Sequence, residues 1–318
     1  MPRVMLAIWS VDTLNHGWFR LNDDVKLNLL EKAVRKLSQD ATYQQIAGLG
    51  GGMAGVFVAP EYLFADMTSD VGKQVEESSR WLISTTLRRL SNDYPRILLF
   101  PGTIAYRERI STKGDARQAL DLMRQHLTTL QAPTMEWHVP RLALGNQIGH
   151  YSRQHQAEID SHKTKMQKLE EKARGIRKRE IYAARNTAFG LVGGQVVMTY
   201  HKRGEVGEVT DQDEPVFFVN GNRPGRCTVA NTTFGVEVCK DSTEGYLRGS
   251  GMEEVDVHVV MSASVEIRDV RKLAGTFLVH ACQAAAHSGV TDTNDNLVDP
   301  DVRLKVSRWN LDLYDVTF

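Results

Sequence analysis

Three apolar runs in the chain each end on one chemically reactive side chain. The runs have the β-branched and aromatic content that is typical of strands, and they end on Glu61, Lys202 and Cys239. Side chains at three strand ends can converge in one pocket, where a carboxylate, an ammonium and a thiol supply a general base, an oxyanion partner and a nucleophile. The pattern predicts a fold that gathers these strand ends, with the groups of a cysteine enzyme that cleaves amides.

The first part of the chain alternates between strand and helix patterns. Short apolar runs at residues 4–9, 56–59 and 96–104 predict three strands. Between them, residues 25–38 and 78–90 carry apolar side chains at helical spacing and predict two amphipathic helices. Strand, helix, strand, helix, strand is typical of the α/β class.

The second part is richer in strands. Residues 181–200 predict a pair of strands joined by a tight turn at Gly193-Gly194, and residues 228–238 and 256–261 predict further strands. Residues 273–287 predict a final helix.

A glycine-rich run at residues 48–52 invites comparison with a phosphate-binding loop. It precedes a strand instead of opening a helix, and no Lys-Ser or Lys-Thr pair follows it. The run therefore indicates an interruption before the second strand and no nucleotide site.

Composition excludes several classes of protein. A chain of 318 residues that is 42% hydrophobic can bury a large core. Lys plus Arg and Asp plus Glu both number 39, so no global field recruits nucleic acid or an anionic membrane. The N-terminus lacks the basic and apolar regions of a leader, and there is no long apolar run, so we expect a cytoplasmic protein.

The three cysteines, Cys227, Cys239 and Cys282, are too few for a disulfide framework and indicate a reducing compartment. Their spacing and the scattered histidines give no support for a structural metal. Cys227 and Cys282 lack the context of Cys239, and Cys282 has the pattern of a helix core. His201 immediately precedes Lys202, so it should face the opposite side of a strand and stay out of the site.

The three reactive segments resemble the motifs of the nitrilase superfamily, also called carbon–nitrogen hydrolases. Pro60-Glu61 is similar to the first motif of that family and His201-Lys202 to the second, while residues 235–241 have the Gly-x-x-x-Cys-x-Asp form of the third. The resemblance implies an α/β four-layer αββα sandwich, a single domain over residues 1–318, no cofactor and a homodimer.

The resemblance also implies a role for each residue. Cys239 would form a thioester, Glu61 would act as the base, and Lys202 would stabilise the tetrahedral oxyanion together with the backbone N–H of Lys240. A second glutamate assists in this family, and of the glutamates at positions 205, 208 and 214, Glu208 is the best placed.

The residues after the nucleophile bear on the substrate. Nitrile-cleaving members of the family carry Trp-Glu there, whereas this chain has Lys240-Asp241, closer to the amidase and carbamoylase pattern. The resemblance therefore favours hydrolysis of a small linear amide over a nitrile. Two alternatives stay open: an acyl or amidine transferase with the same triad, and a non-catalytic scaffold that binds a protein partner.

The stretch at about residues 107–180 resembles a charged helical insertion between the first and second motifs. Within it, residues 153–180 contain nine Lys and Arg against five Asp and Glu. Two interpretations are open: a solvated helix, or an arm beside the pocket that selects anionic substrates or binds an acidic partner.

Overall fold

Two β-sheets pack against each other in the computed structural model of the protein. The structure describes residues 3–66, 73–110, 181–204, 216–248 and 255–318, together with a few positions between 156 and 167. Within these ranges one sheet has nine strands and the other has six.

The nine-stranded sheet has the order β14-β15-β1-β2-β3-β5-β4, with β6 and β7 also paired to β5. The strand β1 is parallel to β2 and antiparallel to β15, so the first and last described strands are neighbours inside this sheet. Its strands are β1 (Arg3–Ser10), β2 (Gly55–Val58), β3 (Ile97–Phe100), β4 (Thr103–Ile110), β5 (Ile181–Val192), β6 (Gln195–His201), β7 (Val216–Phe218), β14 (Val302–Val306) and β15 (Trp309–Thr317).

The six-stranded sheet has the order β13-β12-β11-β10-β9-β8, and its three central strands are parallel. The parallel arrangement brings the carboxyl ends of these three strands to one edge. The strands are β8 (Gly225–Val229), β9 (Thr232–Val238), β10 (Val257–Ser262), β11 (Phe277–Cys282), β12 (Gly289–Thr291) and β13 (Leu297–Val298).

Apart from the helical positions between 156 and 167, the described residues form five helices: α1 (His16–Phe19), α2 (Asp23–Gln39), α3 (Ala41–Gly48), α4 (Glu77–Asp93) and α5 (Lys240–Glu244). The side chain of Asn22 accepts a hydrogen bond from the backbone N–H of Val25 and so caps the N-terminus of α2. Short 3-10 turns follow at Ile267–Asp269 and Ala285–His287. None of the helices in the described ranges has the length and hydrophobicity that a bilayer span requires.

The alternation of side chains along β1 shows how the layers stack. Met5, Ala7 and Trp9 pack in one core with apolar residues of α2, α3 and α4. The alternate residues of β1 pack in a second core with inward-facing residues of β9, β10 and β11. Because both faces of the nine-stranded sheet are covered, its central strands are continuously apolar. The α/β class and the two-sheet architecture expected from the sequence are confirmed.

The expected helix at residues 273–287 is wrong. This stretch forms β11, which lies parallel to β10, and then a 3-10 turn. Val279 and Ala281 face the core between the sheets, and every residue from Leu278 to Cys282 is buried. A short strand that is buried on both faces loses the alternation of polar and apolar residues, so its pattern is indistinguishable from that of a buried helix. Cys282 therefore ends a strand instead of lying in a helix core.

The first residues of the insertion expected at about 107–180 belong to the nine-stranded sheet. Residues 107–110 belong to β4, and Ile110 pairs with Ile181 at the start of β5. The chain therefore leaves and re-enters the sheet at two paired positions. Described positions between 156 and 167 are helical, but the rest of the stretch 111–180, with most of the basic arm, lies outside the described residues.

The glycine-rich run reverses the chain between α3 and β2, and its carbonyl groups bind an arginine side chain of the same protein. The guanidinium of Arg96 donates to the carbonyl oxygens of Gly52 at 3.0 Å and Gly50 at 2.9 Å, and it also donates to the carbonyl of Ala47. Gly50 and Gly51 have φ of 77° and 88°, a region that glycine adopts readily. Carbonyl oxygens, not amide N–H groups, thus face the charged partner of this loop.

Replacement of Arg96 tests this arrangement. Arg96→Met should lower the free energy of unfolding by roughly 1.5–3 kcal/mol, because hydrogen bonds from a charged donor are lost and carbonyls of the loop stay behind. Chemical denaturation measures the change. Arg89→Met, at an exposed position of α4, is the matched control and should be nearly neutral. Equal losses in the two variants would contradict the role of Arg96.

Candidate active site

Glu61 lies just beyond β2 and is fully buried. Its carbonyl accepts a hydrogen bond from Thr13 Oγ1 at 2.8 Å, and the next backbone N–H, that of Tyr62, donates to Thr103 Oγ1 at 2.9 Å. Tyr62 has φ of 59°, which is rare for an aromatic residue and is maintained only where the surroundings enforce it. The backbone that carries the carboxylate is therefore fixed from both sides.

Lys202 follows β6, and its side chain is as deeply buried as that of Glu61. Its ammonium donates to Glu61 Oε1 at 2.8 Å, with the two side chains 1% and 0% exposed. Asn186 on β5 binds both partners: its carbonyl accepts from the Lys202 N–H at 2.8 Å, and its Nδ2 donates to Glu61 Oε1 at 2.9 Å.

The two oxygens of the Glu61 carboxylate differ in their hydrogen bonds. Oε1 receives both donors, whereas Oε2 is buried and has no hydrogen-bond partner among the described residues. Removing one member of such a buried pair typically costs about 3–5 kcal/mol, since an uncompensated charge remains. An ion pair of this kind, with one unsatisfied oxygen, is consistent with a functional site more than with a device for stability.

Cys239 is the single residue that links β9 to α5. Its backbone has φ 49° and ψ −117°, a strained conformation for a residue with a side chain. Its N–H donates to the carbonyl of Met261 at 2.8 Å, and its carbonyl accepts from the N–H of Ser242 at 2.9 Å. The turn thus holds the thiol at the carboxyl edge of the six-stranded sheet. Ser262 Oγ lies 3.6 Å and Ser264 Oγ 3.9 Å from the sulfur.

The electrostatic surroundings of the Cys239 thiol include both members of the ion pair. Burial raises the pKa of this thiol, and the negative charge of Glu61 raises it further. The ammonium of Lys202, the backbone at Ala263 and the Ser262 hydroxyl lower it in part. The structure therefore brings together the thiol, the carboxylate and the ammonium that the sequence placed at three strand ends.

The other two cysteines have different surroundings. Cys227 on β8 has its pKa raised to about 12 by burial, with no cation to offset it. Cys282 is opposite Ser262 in the parallel register of β10 and β11, and burial is the largest cause of its raised pKa. Of the three thiols, Cys239 is the one for which an ammonium offsets part of the rise in pKa.

Two histidines near the motif residues have partners elsewhere. Nδ1 of His201 is hydrogen-bonded to Thr187 Oγ1 at 2.8 Å, and burial, with nearby arginines, lowers its pKa to about 4. Nε2 of His258 lies 2.9 Å from Glu237 Oε2. The prediction that His201 faces away from the pair formed by Lys202 and Glu61 is confirmed.

The structure adds two residues, Asn186 and Asp241, that the sequence patterns did not predict as part of the site. Asn186 lies inside a strand, and an asparagine there carries no local signal of its two contacts. Asp241 was noted only as part of a motif, yet it is fully buried and accepts hydrogen bonds from Tyr200 Oη at 2.7 Å and from the N–H groups of Arg203 and Gly204 at 2.8 Å each.

Of the remaining predicted site residues, Lys240 lies within the described part of the chain and Glu208 does not. Lys240 is the first residue of α5, where a backbone N–H has no acceptor within the helix. Glu208 lies outside the described residues, as do the glutamates at 205 and 214. In the described ranges, no group of three or more His, Cys, Asp and Glu side chains is arranged to hold a metal ion.

Comparison with known proteins shows similarity in fold and not in sequence. No protein-family model matches the chain, and no curated protein matches it. A double mutant of the amidase from Nesterenkonia sp. AN1, in complex with acrylamide, superposes with a TM-score of 0.54 at 12% identity over 100% of this chain and 92% of that chain. Another mutant of that amidase, described as from the nitrilase superfamily, superposes with a TM-score of 0.50 at 13% identity over 99% of this chain and 91% of that chain.

A third structure, a mutant of the same amidase, shows covalent addition of the acetamide moiety of fluoroacetamide at its active-site cysteine. It has a TM-score of 0.50 at 13% identity and covers 99% of this chain and 89% of that chain. Identities this low show the fold alone. The chain therefore has the fold of a nitrilase-superfamily amidase, as the motifs led us to expect.

The reactivity of the three thiols tests the electrostatic environment of Cys239. Iodoacetamide should alkylate Cys239 faster than Cys227 or Cys282 in the native protein, because Lys202 offsets part of the rise that burial and Glu61 cause in the pKa of Cys239, whereas no ammonium of the described residues acts on the other two thiols. Peptide mass spectrometry over a pH series measures the three rates. Unfolding the protein in denaturant should make the rates similar, and a native Cys227 that reacted as fast as Cys239 would contradict the assignment.

Proposed function

We propose that the protein hydrolyses a non-peptide C–N bond of a small amide through a thioester at Cys239. The observation that carries the proposal is the buried Glu61 carboxylate. Its Oε1 binds Lys202 and Asn186, its Oε2 has no hydrogen-bond partner among the described residues, and its charge acts on the thiol of the strained Cys239. A base, a cation and a nucleophile in one site are the requirements for attack on a carbonyl.

In the first step Glu61 Oε2 takes the thiol proton while the sulfur attacks the carbonyl carbon of the amide. The C–S bond forms and the electron pair of the carbonyl moves onto oxygen. The ammonium of Lys202 and the backbone N–H of Lys240 stabilise that oxyanion in a site from which water is largely excluded. Because both donors are held by the fold before the reaction, little reorganisation is required.

In the second step the tetrahedral intermediate collapses and the C–N bond breaks. The proton held by Glu61 passes to the leaving nitrogen, which departs as ammonia or an amine, and the acyl group remains on sulfur. Glu61 then takes a proton from water, the hydroxide attacks the thioester, and the C–S bond breaks to release the acid and the thiolate. The proton on Glu61 then returns to the thiolate.

The comparisons support a small substrate. The amidase of similar fold has been captured with acrylamide and with an acetamide moiety attached to its cysteine, and both are short linear groups. We therefore propose a short linear amide for this chain, and a nitrile as the less favoured substrate.

Substitution of each cysteine tests the nucleophile. Cys239→Ala should abolish ammonia release from a panel of short linear amides and keep the fold, because the side chain is small and lies at a strand end. Cys227→Ala and Cys282→Ala are the matched controls and should retain turnover. Activity that survived in Cys239→Ala and disappeared in either control would refute the site.

Substitution of the ion pair tests the other two roles. Glu61→Gln and Lys202→Met should each lower the rate of the chemical step by about a hundred- to a thousand-fold, the typical loss for a stabilising group of the transition state. Intact-protein mass spectrometry with a slow amide should detect the acyl adduct in the native protein. Turnover at the native rate in both variants would remove this pair from the mechanism.

The same measurements separate hydrolysis from transfer. With hydroxylamine present as a competing nucleophile, a hydrolase gives mainly the acid, whereas a transferase gives mainly the hydroxamate. A native protein with no acyl adduct and no ammonia release across the panel would leave the non-catalytic scaffold as the better account.

A further inference from the structure

One buried carboxylate close to the site has no part in the proposed chemistry. Asp241 lies two residues after Cys239 and is 0% exposed. Its Oδ2 accepts from Tyr200 Oη and from the Arg203 N–H, and its Oδ1 accepts from the Gly204 N–H. All three donors lie within two residues of Lys202 along the chain.

We propose that Asp241 is a positioning residue that ties the turn after Lys202 to the turn after Cys239 and so fixes the ammonium relative to the thiol. The inference rests on the proposed function, in which these two groups act on one carbonyl. It concerns a residue that touches neither substrate nor sulfur, and its effect is transmitted through Lys202.

The position of Asp241 between the two sheets gives it this role. Lys202 follows β6 of the nine-stranded sheet, and Cys239 follows β9 of the six-stranded sheet. The N–H of Lys202 is bound to Asn186 within its own sheet. The Asp241 carboxylate instead crosses from one sheet to the other, and it binds the chain both before and after Lys202.

The local chemistry suits the two oxygens of a carboxyl group as this link. Two backbone N–H groups and a phenol all donate, so an acceptor with two oxygens satisfies them, whereas an amide would turn an N–H toward a donor. The approach is close, because a Cβ at Gly204 would lie 3.3 Å from Asp241 Oδ1. Burial raises the pKa of Asp241 to about 7, while Lys202 and the three hydrogen bonds oppose that rise.

The pKa of the Cys239 thiol reports on the position of Lys202 without requiring a substrate. The charged groups that act on this thiol are Glu61, which raises its pKa, and Lys202, which lowers it. Displacement of the ammonium should therefore raise the pKa of Cys239. Direct removal of a negative charge at Asp241 would instead lower it, so the two effects have opposite signs.

The experiment measures the rate of Cys239 alkylation by iodoacetamide against pH in the full chain. Lys202→Met should move the midpoint upward by about one to three pH units, the typical effect of a close opposite charge. Asp241→Asn should also move it upward, by a part of that shift. In the double variant, Asp241→Asn should add no upward shift, because the ammonium whose position it controls is gone.

Glu237→Gln is the matched control. Glu237 lies two residues before Cys239 and is 1% exposed, and its charge also acts on Tyr200, but its hydrogen bonds go to the Leu247 N–H at 2.7 Å and to His258 Nε2 at 2.9 Å, which lie on other segments than the Lys202 turn. This variant should leave the midpoint unchanged. Tyr200→Phe, which removes one of the three donors, is the second test variant if Asp241→Asn does not fold, and it should give a smaller upward shift.

A midpoint in Asp241→Asn or Tyr200→Phe that stays in place or moves downward would overturn the positioning role. So would shifts of Asp241→Asn and Lys202→Met that simply add, or an equal shift in Glu237→Gln. Ammonia release from the amide panel is measured separately. A native protein without amide hydrolysis refutes the proposed function, whereas the alkylation midpoints continue to decide the role of Asp241.

Discussion

The buried ion pair between Glu61 and Lys202 is the interaction on which the candidate site depends. Two opposite charges removed from water require close geometry and further hydrogen bonds to offset the loss of hydration. Asn186 supplies that support on Oε1, and Thr13 and Thr103 fix the backbone that carries the carboxylate. With Oε1 occupied, Oε2 is the carboxylate oxygen that has no hydrogen-bond partner among the described residues.

Strain at the site is maintained by the regular structure around it. The positive φ of Cys239 occurs directly after β9 and that of Tyr62 a short way after β2, and both strands are largely buried on both faces. Apolar packing between the sheets holds those strands in one register, so the turns that follow them have little freedom to relax. The fold thereby spends stability on a fixed thiol and a fixed carboxylate, and such preorganisation is what attack on an amide carbonyl requires.

Sequence patterns predict the structure correctly where an apolar stripe and a capping residue are both present, and they fail where burial on both faces of a strand removes the alternation. The helix pattern at residues 25–38 carries a capping asparagine before it and a clear apolar stripe, and it became α2. The stretch at residues 273–287 offered neither cue, and β11 was predicted as a helix because both of its faces are buried. Cys282 was placed in a helix core for the same reason.

The sequence by itself determined the three reactive side chains, their location at strand ends, and the α/β class, because apolar periodicity and local motifs are encoded in neighbouring residues. The tertiary structure alone decided which residues support them. Asn186 reaches Glu61 across 125 positions of the chain, and the carboxylate of Asp241 reaches the Lys202 turn across the gap between two sheets. Contacts between distant segments depend on strand order and sheet packing, and no local pattern records them.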